Sequence, residues 1–119
     1  MKKKPSLVVD FDGVICKHRF PDVGEPTEGV QEALNTLRRA GYRILIHSCR
    51  TSFQFKDLLI GDQFDRIKEY MKYYKLPFDD VWAPDKPIGV AYIDDRGMKF
   101  INNWEEITDK LLSRSKKHK

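Results

Sequence analysis

Acidic side chains stand at two places in this sequence where an apolar run ends. Asp10 and Asp12 follow the first run, and the adjacent Asp94 and Asp95 follow a later one. Two carboxylates about 4 Å apart repel each other by roughly 1 to 4 kcal/mol, depending on the effective dielectric constant. Four of them at one site therefore require a cation or a shifted proton. Oxygen ligands favour Mg²⁺, which takes one or two carboxylates, keeps waters and shares phosphate oxygens.

Hydroxyl and cationic side chains follow two further apolar runs. Ser48 ends one run, Arg50 lies just past it, and Lys86 follows another. With a metal ion present, such groups can hold a phosphoryl group by electrostatic positioning, and an arginine can add a bidentate phosphate contact. One carboxylate can then attack phosphorus, while another protonates the leaving oxygen and later activates water. The set predicts phosphoryl transfer, although each residue alone is typical of a turn, a cap or a solvated surface.

Short apolar strands that alternate with amphipathic helices must position these side chains. Strands are predicted at 6–11, 42–47, 80–83, 90–93 and 100–101, with helices at 28–40, from 62 to before Pro77, and from about 104 onward. Thr27 is the predicted N-cap of the first helix, Gly41 its C-terminal stop, and Asp62 the N-cap of the second. The alternation predicts an α/β, Rossmann-like three-layer sandwich with a mostly parallel sheet of about five strands. The carboxyl ends of such strands meet at one edge, where ligands bind.

The order of these residues resembles the four motifs of the haloacid dehalogenase-like phosphatase superfamily. The run Asp10-Phe-Asp-Gly-Val is similar to its first motif, Ser48 to its second, Lys86 to its third, and Asp94-Asp95 to its fourth. The resemblance extends from Ser6 to Arg96. It implies a Rossmann-like core with a small β-hairpin flap after the first motif, here at residues 15–24.

The resemblance also implies a role for each matching residue. Asp10 would be the nucleophile and Asp12 the general acid and base, while Ser48 and Lys86 would hold the phosphoryl group. Mg²⁺ would be bound by Asp10, by the backbone carbonyl of Asp12 and by Asp95, with Asp94 next to them as a ligand or in the outer shell. The implied activity is that of a Mg²⁺-dependent phosphatase that hydrolyses a phosphomonoester through an aspartyl-phosphate.

The spacing of the motifs leaves no room for a cap domain. Only 35 residues separate Asp12 from Ser48, and 37 separate Ser48 from Lys86, and predicted core elements fill most of both segments. Residues 1–119 are therefore expected to form one domain of the capless branch. Open sites of that branch serve large substrates or are covered by a neighbouring subunit, so a homo-oligomer is one expectation.

The substrate is not determined by the sequence. Ser48-Cys-Arg50 together with Asp94-Asp95-Arg96 is similar to the phosphatase half of polynucleotide kinase-phosphatases, which act on nucleic-acid 3′-phosphates. Arg50 would then contact phosphate. Nucleotides, nucleic-acid ends, sugar phosphates and phosphoproteins all stay open as substrates.

Two functions of other classes compete with catalysis. A phosphoacceptor signalling domain also carries acids, a hydroxyl and a lysine at strand ends, but its acidic pair follows the first strand and its acceptor the third. A non-catalytic nucleic-acid-binding module would use the basic tails at residues 1–4 and 114–119. The stretch from Pro5 to Asp109 carries 14 basic and 18 acidic residues, so the net charge of +4 comes from the ends of the chain. Such a distribution is unlike a basic binding face.

The composition gives further expectations about the cell compartment. The 2 cysteines are too few for a disulfide scaffold, and no apolar run approaches the roughly 18 residues that a membrane span needs. The basic N-terminus is followed by only three apolar residues, unlike a signal peptide. A cytoplasmic protein without membrane contact is the expectation.

Overall fold

Six strands and three helices make up the part of the chain that the structure describes. This computed structural model describes residues 4–51, 59, 61–82, 91–93 and 98–117, with side chains described to residue 114. The strands are β1 (Ser6–Asp10), β2 (Cys16–Arg19), β3 (Asp22–Pro26), β4 (Arg43–His47), β5 (Asp80–Val81) and β6 (Ala91–Ile93). The helices are α1 (Val30–Arg39), α2 (Gln63–Tyr73) and α3 (Trp104–Lys117), and a short 3₁₀ turn covers Cys49–Thr51.

Four of the strands form one parallel sheet in the order β5-β4-β1-β6. The strand β1 is hydrogen-bonded on both sides, and its residues Leu7, Val8 and Val9 are almost fully buried, which is why the run is apolar without alternation. The chain moves outward from β1 through β4 to β5 and then returns to the other side of β1. In open α/β sheets, ligands bind at the carboxyl ends of the strands near the point where the strand order reverses, and β1 lies at that point in this sheet. The strand order fits a Rossmann-like fold.

The predicted flap is a separate two-stranded antiparallel hairpin formed by β2 and β3. It follows β1 directly and returns to the core at Thr27, whose backbone N–H donates to the carbonyl of Ile15 (2.9 Å). The hairpin therefore begins and ends beside the carboxyl end of β1.

The prediction of a strand at residues 100–101 is wrong, and the sheet has four strands within the described residues. Residues 98–103 form bends and coil instead of a strand at Phe100–Ile101. The Phe100 ring packs against Trp104, with 5.2 Å between the ring centroids, and Ile101 is 65% exposed. The Phe100 side chain is therefore accounted for by its packing at the start of α3 and not by a position in a strand.

The ends of the helices match two of three predicted caps. Asp62 accepts hydrogen bonds from the backbone N–H groups of Phe64 and Asp65, and Gly41, with φ 103°, follows the end of α1, so both predictions are confirmed. The prediction that Thr27 caps α1 is wrong. Gly29, with φ 82°, is the N-cap and makes no side-chain bond, while Thr27 is buried and bonds elsewhere.

A single hydrophobic cluster joins the sheet, the helices and the turn after β1. The stripe predicted for α1 is buried (Val30, Ala33, Leu34 and Leu37), and α1 packs against α3. The helix α3 extends to Lys117, so residues 114–117 of the predicted C-terminal tail are helical. Within the described residues, none of the helices has the length and apolarity to cross a membrane.

Candidate active site at the carboxyl ends of β1 and β4

The nucleophile candidate Asp10 ends the central strand beside the end of its neighbour. Asp10 lies opposite His47 in the parallel register of β1 and β4, and Ser48 follows immediately. These residues surround a cavity of about 160 Å³. Its lining consists of Asp10, Phe11, Asp12, His47, Ser48 and Cys49. Three of the residues that the sequence singled out therefore share one small opening at the sheet edge.

A tight turn brings Asp12 to the same opening as Asp10. The carbonyl of Phe11 accepts hydrogen bonds from the backbone N–H groups of Val14 (3.3 Å), Ile15 (3.0 Å) and Cys16 (3.1 Å). Gly13 has φ 83°, a conformation that glycine adopts without the steric cost of a side chain. Residues two apart in a continuing strand point to the same face, and the turn that ends the strand after Asp10 keeps Asp12 at the same cavity.

The Asp12 carboxylate is held by Arg50 through both of its oxygens. Arg50 Nε donates to Asp12 Oδ2 (2.8 Å), and Nη2 donates to Asp12 Oδ1 (2.7 Å). This fork-to-fork geometry gives two charge-assisted hydrogen bonds. Both side chains are buried, with 2% of the Arg50 side chain and 11% of the Asp12 side chain exposed, so solvent screens the pair little.

The same guanidinium also bonds to the hairpin. Arg50 Nη1 donates to the carbonyl of Pro21 (2.8 Å), and Nη2 donates to the carbonyl of Asp22 (2.6 Å). The Arg50 guanidinium carbon lies 4.9 Å from the centroid of the Phe20 ring, in cation–π range. Arg50 therefore connects the Asp12 carboxylate to the tip of the β2–β3 hairpin.

Ser48 is a buried hydroxyl at the start of the turn that carries Arg50. Its Oγ accepts a hydrogen bond from the backbone N–H of Arg50 (3.1 Å), and its carbonyl accepts one from the Thr51 hydroxyl (2.9 Å). These bonds fix the 3₁₀ turn and hence the direction in which the Arg50 side chain leaves the backbone.

Two titratable groups border the carboxylates. His47 Nδ1 lies 3.6 Å from Asp10 Oδ1, at the edge of the cavity. Burial raises the pKa of the Cys49 thiol, and the charge of Asp12 raises it further, so Cys49 is not an activated thiolate here. The same two causes, burial first, raise the pKa of Cys16 to about 11. The site thus favours carboxylate chemistry over thiol chemistry.

Several predicted site residues lie outside the described residues, so the structure gives them no position. These are Lys86, Asp94 and Asp95. The strand β6 ends at Ile93, which lies opposite Val9, one residue before the level of Asp10. Across residues 4–51, 61–82, 91–93 and 98–114, no three His, Cys, Asp or Glu side chains come together as a metal-binding group.

Sequence reasoning missed the contact between Arg50 and the hairpin. Arg50 lies two residues after Ser48, so its position near the end of a strand could be predicted. Its bonds to the backbone carbonyls of Pro21 and Asp22 could not, because any residue type supplies a backbone carbonyl. The Tyr70 ring packs edge-on against Phe11, with 5.1 Å between the ring centroids. Its hydroxyl also donates to the carbonyl of Gly24 (2.8 Å) and ties α2 to the hairpin.

A larger cleft of about 590 Å³ lies between α1 and α3, away from these residues. Its lining includes Glu28, Glu32, Glu105 and Asp109, and none of the predicted site residues. The smaller cavity at the strand ends is therefore the candidate active site, because the side chains suited to phosphoryl chemistry surround it.

Comparison with known proteins supports the fold. No protein-family model and no curated protein matches this chain. Among solved structures, the chain is similar to a conserved protein from Bacteroides thetaiotaomicron, with a TM-score of 0.72 and 24% identity over 92% of this chain and 91% of that one. It is also similar to a structural-genomics target from Vibrio cholerae, with a TM-score of 0.56 and 20% identity over 90% of this chain and 98% of that one. At these identities the similarity is one of fold.

Proposed function

We propose that the protein is a Mg²⁺-dependent phosphatase of the haloacid dehalogenase-like type that hydrolyses phosphomonoesters through an aspartyl-phosphate at Asp10. The observation that carries the proposal is the convergence of Asp10, Asp12 and Ser48 on one cavity at the carboxyl ends of two parallel strands. In the four-motif pattern, these residues are the nucleophile, the general acid and base, and a phosphoryl ligand. A cavity of about 160 Å³ is of the size of a phosphoryl group with its solvation, and too small for a whole large substrate.

The first step would form a bond between a carboxylate oxygen of Asp10 and phosphorus and break the bond between phosphorus and the ester oxygen. The leaving oxygen would take a proton from solvent, or from Asp12 once this side chain is protonated and has given up one of its two hydrogen bonds from Arg50. Asp10 suits the nucleophile role because its side chain is 31% exposed at the cavity, so an ester can reach it. Asp12 is more deeply buried and is held in place by Arg50.

The second step would hydrolyse the phosphoenzyme. The Asp12 carboxylate would take a proton from water as the water oxygen attacks phosphorus, and the bond to Asp10 would break, releasing inorganic phosphate. The Ser48 hydroxyl, whose oxygen accepts from Arg50 N–H, would donate its own proton to a phosphoryl oxygen. Lys86 would add a cationic contact.

The donor set fits Mg²⁺ in its chemistry. Asp10, which lines the cavity, and the backbone carbonyl of Asp12 would supply hard oxygen ligands, and Asp95, with Asp94 beside it in the sequence, would complete the set. When bound, Mg²⁺ would neutralise charge on the phosphoryl oxygens and offset the repulsion between the carboxylates. The expected substrate is a phosphorylated small molecule or a nucleic-acid end, as the resemblance to the four-motif pattern implies.

A generic phosphatase assay tests this proposal. The wild type should hydrolyse p-nitrophenyl phosphate with Mg²⁺, lose activity with EDTA and regain it on addition of Mg²⁺. Asp10→Asn should reduce turnover by at least about a thousandfold, because an amide cannot act as the nucleophile. The matched control is Asp65→Asn, an exposed aspartate in the first turn of α2, which should keep wild-type activity.

Retention of full activity in Asp10→Asn would contradict the proposal. If the wild type is active and Asp10→Asn is not, a panel of phosphomonoesters that includes nucleotides, sugar phosphates and 3′-phosphorylated oligonucleotides identifies the substrate class. A phosphoprotein that is stable for hours would instead favour the phosphoacceptor function. Salt-sensitive nucleic-acid binding without any turnover would favour the binding module.

A further inference from the structure

We propose that Arg50 is a positioning residue that fixes the β2–β3 hairpin to the Asp12 carboxylate, so that the flap and the general acid and base move as one unit. We call this set of contacts the Arg50 clamp: the Arg50 guanidinium with Asp12, Pro21 and Asp22. Its mechanical part stands on the contacts alone, while its catalytic consequence rests on the proposed function.

The first argument is the number and direction of the contacts. The guanidinium makes four hydrogen bonds, two to the Asp12 carboxylate and two to the carbonyls of Pro21 and Asp22. Arginine presents its donors in a rigid planar fork, so one partner cannot shift far without breaking bonds to the others. Displacement of the hairpin tip would therefore pull on the group that orients Asp12.

The second argument is burial. Arg50 is 3% exposed, and the Phe20 ring covers one face of its guanidinium. A buried guanidinium without a counter-charge is strongly unfavourable, so Asp12 supplies the charge that lets Arg50 lie under the hairpin. Conversely, loss of Arg50 would leave the Asp12 carboxylate and two carbonyls without these donors.

The third argument concerns the alternative role of Arg50 as a phosphate ligand. A phosphoryl group could gain its bidentate contact only by taking over donors that now serve Asp12 or the hairpin. That exchange would detach the carboxylate that the reaction needs. The observed contacts therefore favour support of Asp12 over direct contact with phosphate.

Hydrogen exchange of the hairpin tests the mechanical part of the proposal on the full chain. In Arg50→Gln, the backbone amides of residues 16–26 should exchange at least about tenfold faster than in the wild type, because the hairpin tip loses both guanidinium contacts. Asp12→Asn should also accelerate the exchange of these backbone amides. The asparagine side chain has only one oxygen, so its NH₂ group faces one of the two guanidinium donors and that hydrogen bond is lost. Within the described residues, the Asp12 side chain is linked to the hairpin tip through Arg50, so faster exchange at the tip in this variant reports the coupling between them.

A matched control separates the clamp from a general loss of stability. Arg38→Gln removes another arginine–aspartate pair, Arg38 with Asp79 (3.1 Å), on an exposed part of α1. Hairpin exchange in Arg38→Gln should stay within about twofold of the wild type. If Arg50→Gln does not fold, Arg50→Lys keeps the charge but not the fork, and its hairpin exchange should lie clearly above that of the wild type.

Kinetics test the catalytic part. For Arg50→Lys and Arg50→Gln, the clamp predicts a kcat that is at least about tenfold lower, with Lys the milder change, while the inhibition constant of inorganic phosphate stays within about twofold. A direct phosphate ligand predicts the opposite pattern, with phosphate inhibition weakened at least about tenfold.

The outcomes distinguish this proposal from the proposed function. Hairpin exchange that is unchanged in every Arg50 and Asp12 variant would overturn the clamp, and so would weakened phosphate inhibition with an unchanged hairpin. If the wild type hydrolyses no phosphomonoester, the proposed function fails, and the exchange experiment still decides whether Arg50 couples the hairpin to Asp12.

Discussion

Thr27 supports the loop that carries Asp12, and replacing it by valine should destabilise the protein. Its buried hydroxyl donates to the carbonyl of Val14 (2.7 Å) and accepts from the indole N–H of Trp104 (3.0 Å). Valine has almost the same shape and lacks both functions. The three residues are each at most 4% exposed, so water cannot replace the lost bonds without a rearrangement.

The size of the effect follows from the two groups left unpaired. A buried donor or acceptor that loses its partner costs about 1 to 3 kcal/mol, so Thr27→Val, which leaves two such groups, should lower the free energy of unfolding by about 2 to 6 kcal/mol. Thr27→Ser keeps the hydroxyl and loses one methyl group, which should cost about 1 kcal/mol. Urea denaturation followed by tryptophan fluorescence measures all three proteins.

A double-mutant cycle tests the assigned hydrogen bond. Trp104→Phe removes the indole N–H, so Thr27→Val should cost about 1 to 2 kcal/mol less in that background than in the wild type. Additive losses, or a loss below about 0.5 kcal/mol for Thr27→Val alone, would refute this account of Thr27.

Three further predictions follow from the surroundings of the site. Ellman's reagent should label one thiol in the native protein and the second only after unfolding, because Cys49 is exposed and Cys16 is fully buried, and labelling of both thiols in the native protein would contradict the burial of Cys16. The raised pKa of Cys16, about 11, means that unfolding releases a proton once the pH exceeds 9.0, so stability should fall by about 1.4 kcal/mol per pH unit from there to about pH 11. In thermal melts, the stability of Cys16→Ala should fall less steeply with pH over this range than that of the wild type, and the same pH dependence in both proteins would contradict the prediction. Gly24→Ala should cost about 1 to 3 kcal/mol in urea denaturation, since its Cβ would collide with the carbonyl oxygen of Lys17, and a neutral effect would contradict the packing of the hairpin.

The sequence predicts much of the fold because hydrophobic period and turn chemistry are local. The buried run before Asp10, the stripe of α1, the Asp62 cap and the Gly41 stop are all confirmed. Thr27 has the composition of an N-cap, but its hydroxyl bonds across the fold to Val14 and Trp104. The helix-capping preference of threonine does not predict such a contact, because Val14 and Trp104 are distant from Thr27 in the sequence.

The sequence predicted that Asp10, Asp12 and Ser48 lie at one edge of the sheet, and the structure brings these three residues together. Lys86, Asp94 and Asp95 lie outside the described residues. Strand order explains why Asp10, Asp12 and Ser48 meet, since parallel strands end at one edge. The partner of Arg50 could not be deduced from the sequence, because an arginine near a cluster of carboxylates and a hydroxyl can either bind a phosphate or pair with a carboxylate. The structure favours pairing with a carboxylate, because the hydrogen bonds of the guanidinium go to Asp12 and to the hairpin carbonyls.

Covalent trapping of the intermediate is the most direct test of the central claim. The wild type is mixed with a phosphomonoester substrate and Mg²⁺, quenched in acid and reduced with borohydride, which converts an aspartyl-phosphate to homoserine. Peptide mass spectrometry should find homoserine at position 10, and none there in Asp10→Asn or in wild type without substrate. Turnover without homoserine at position 10, or a phosphoryl group on another residue such as Ser48, would contradict the claim.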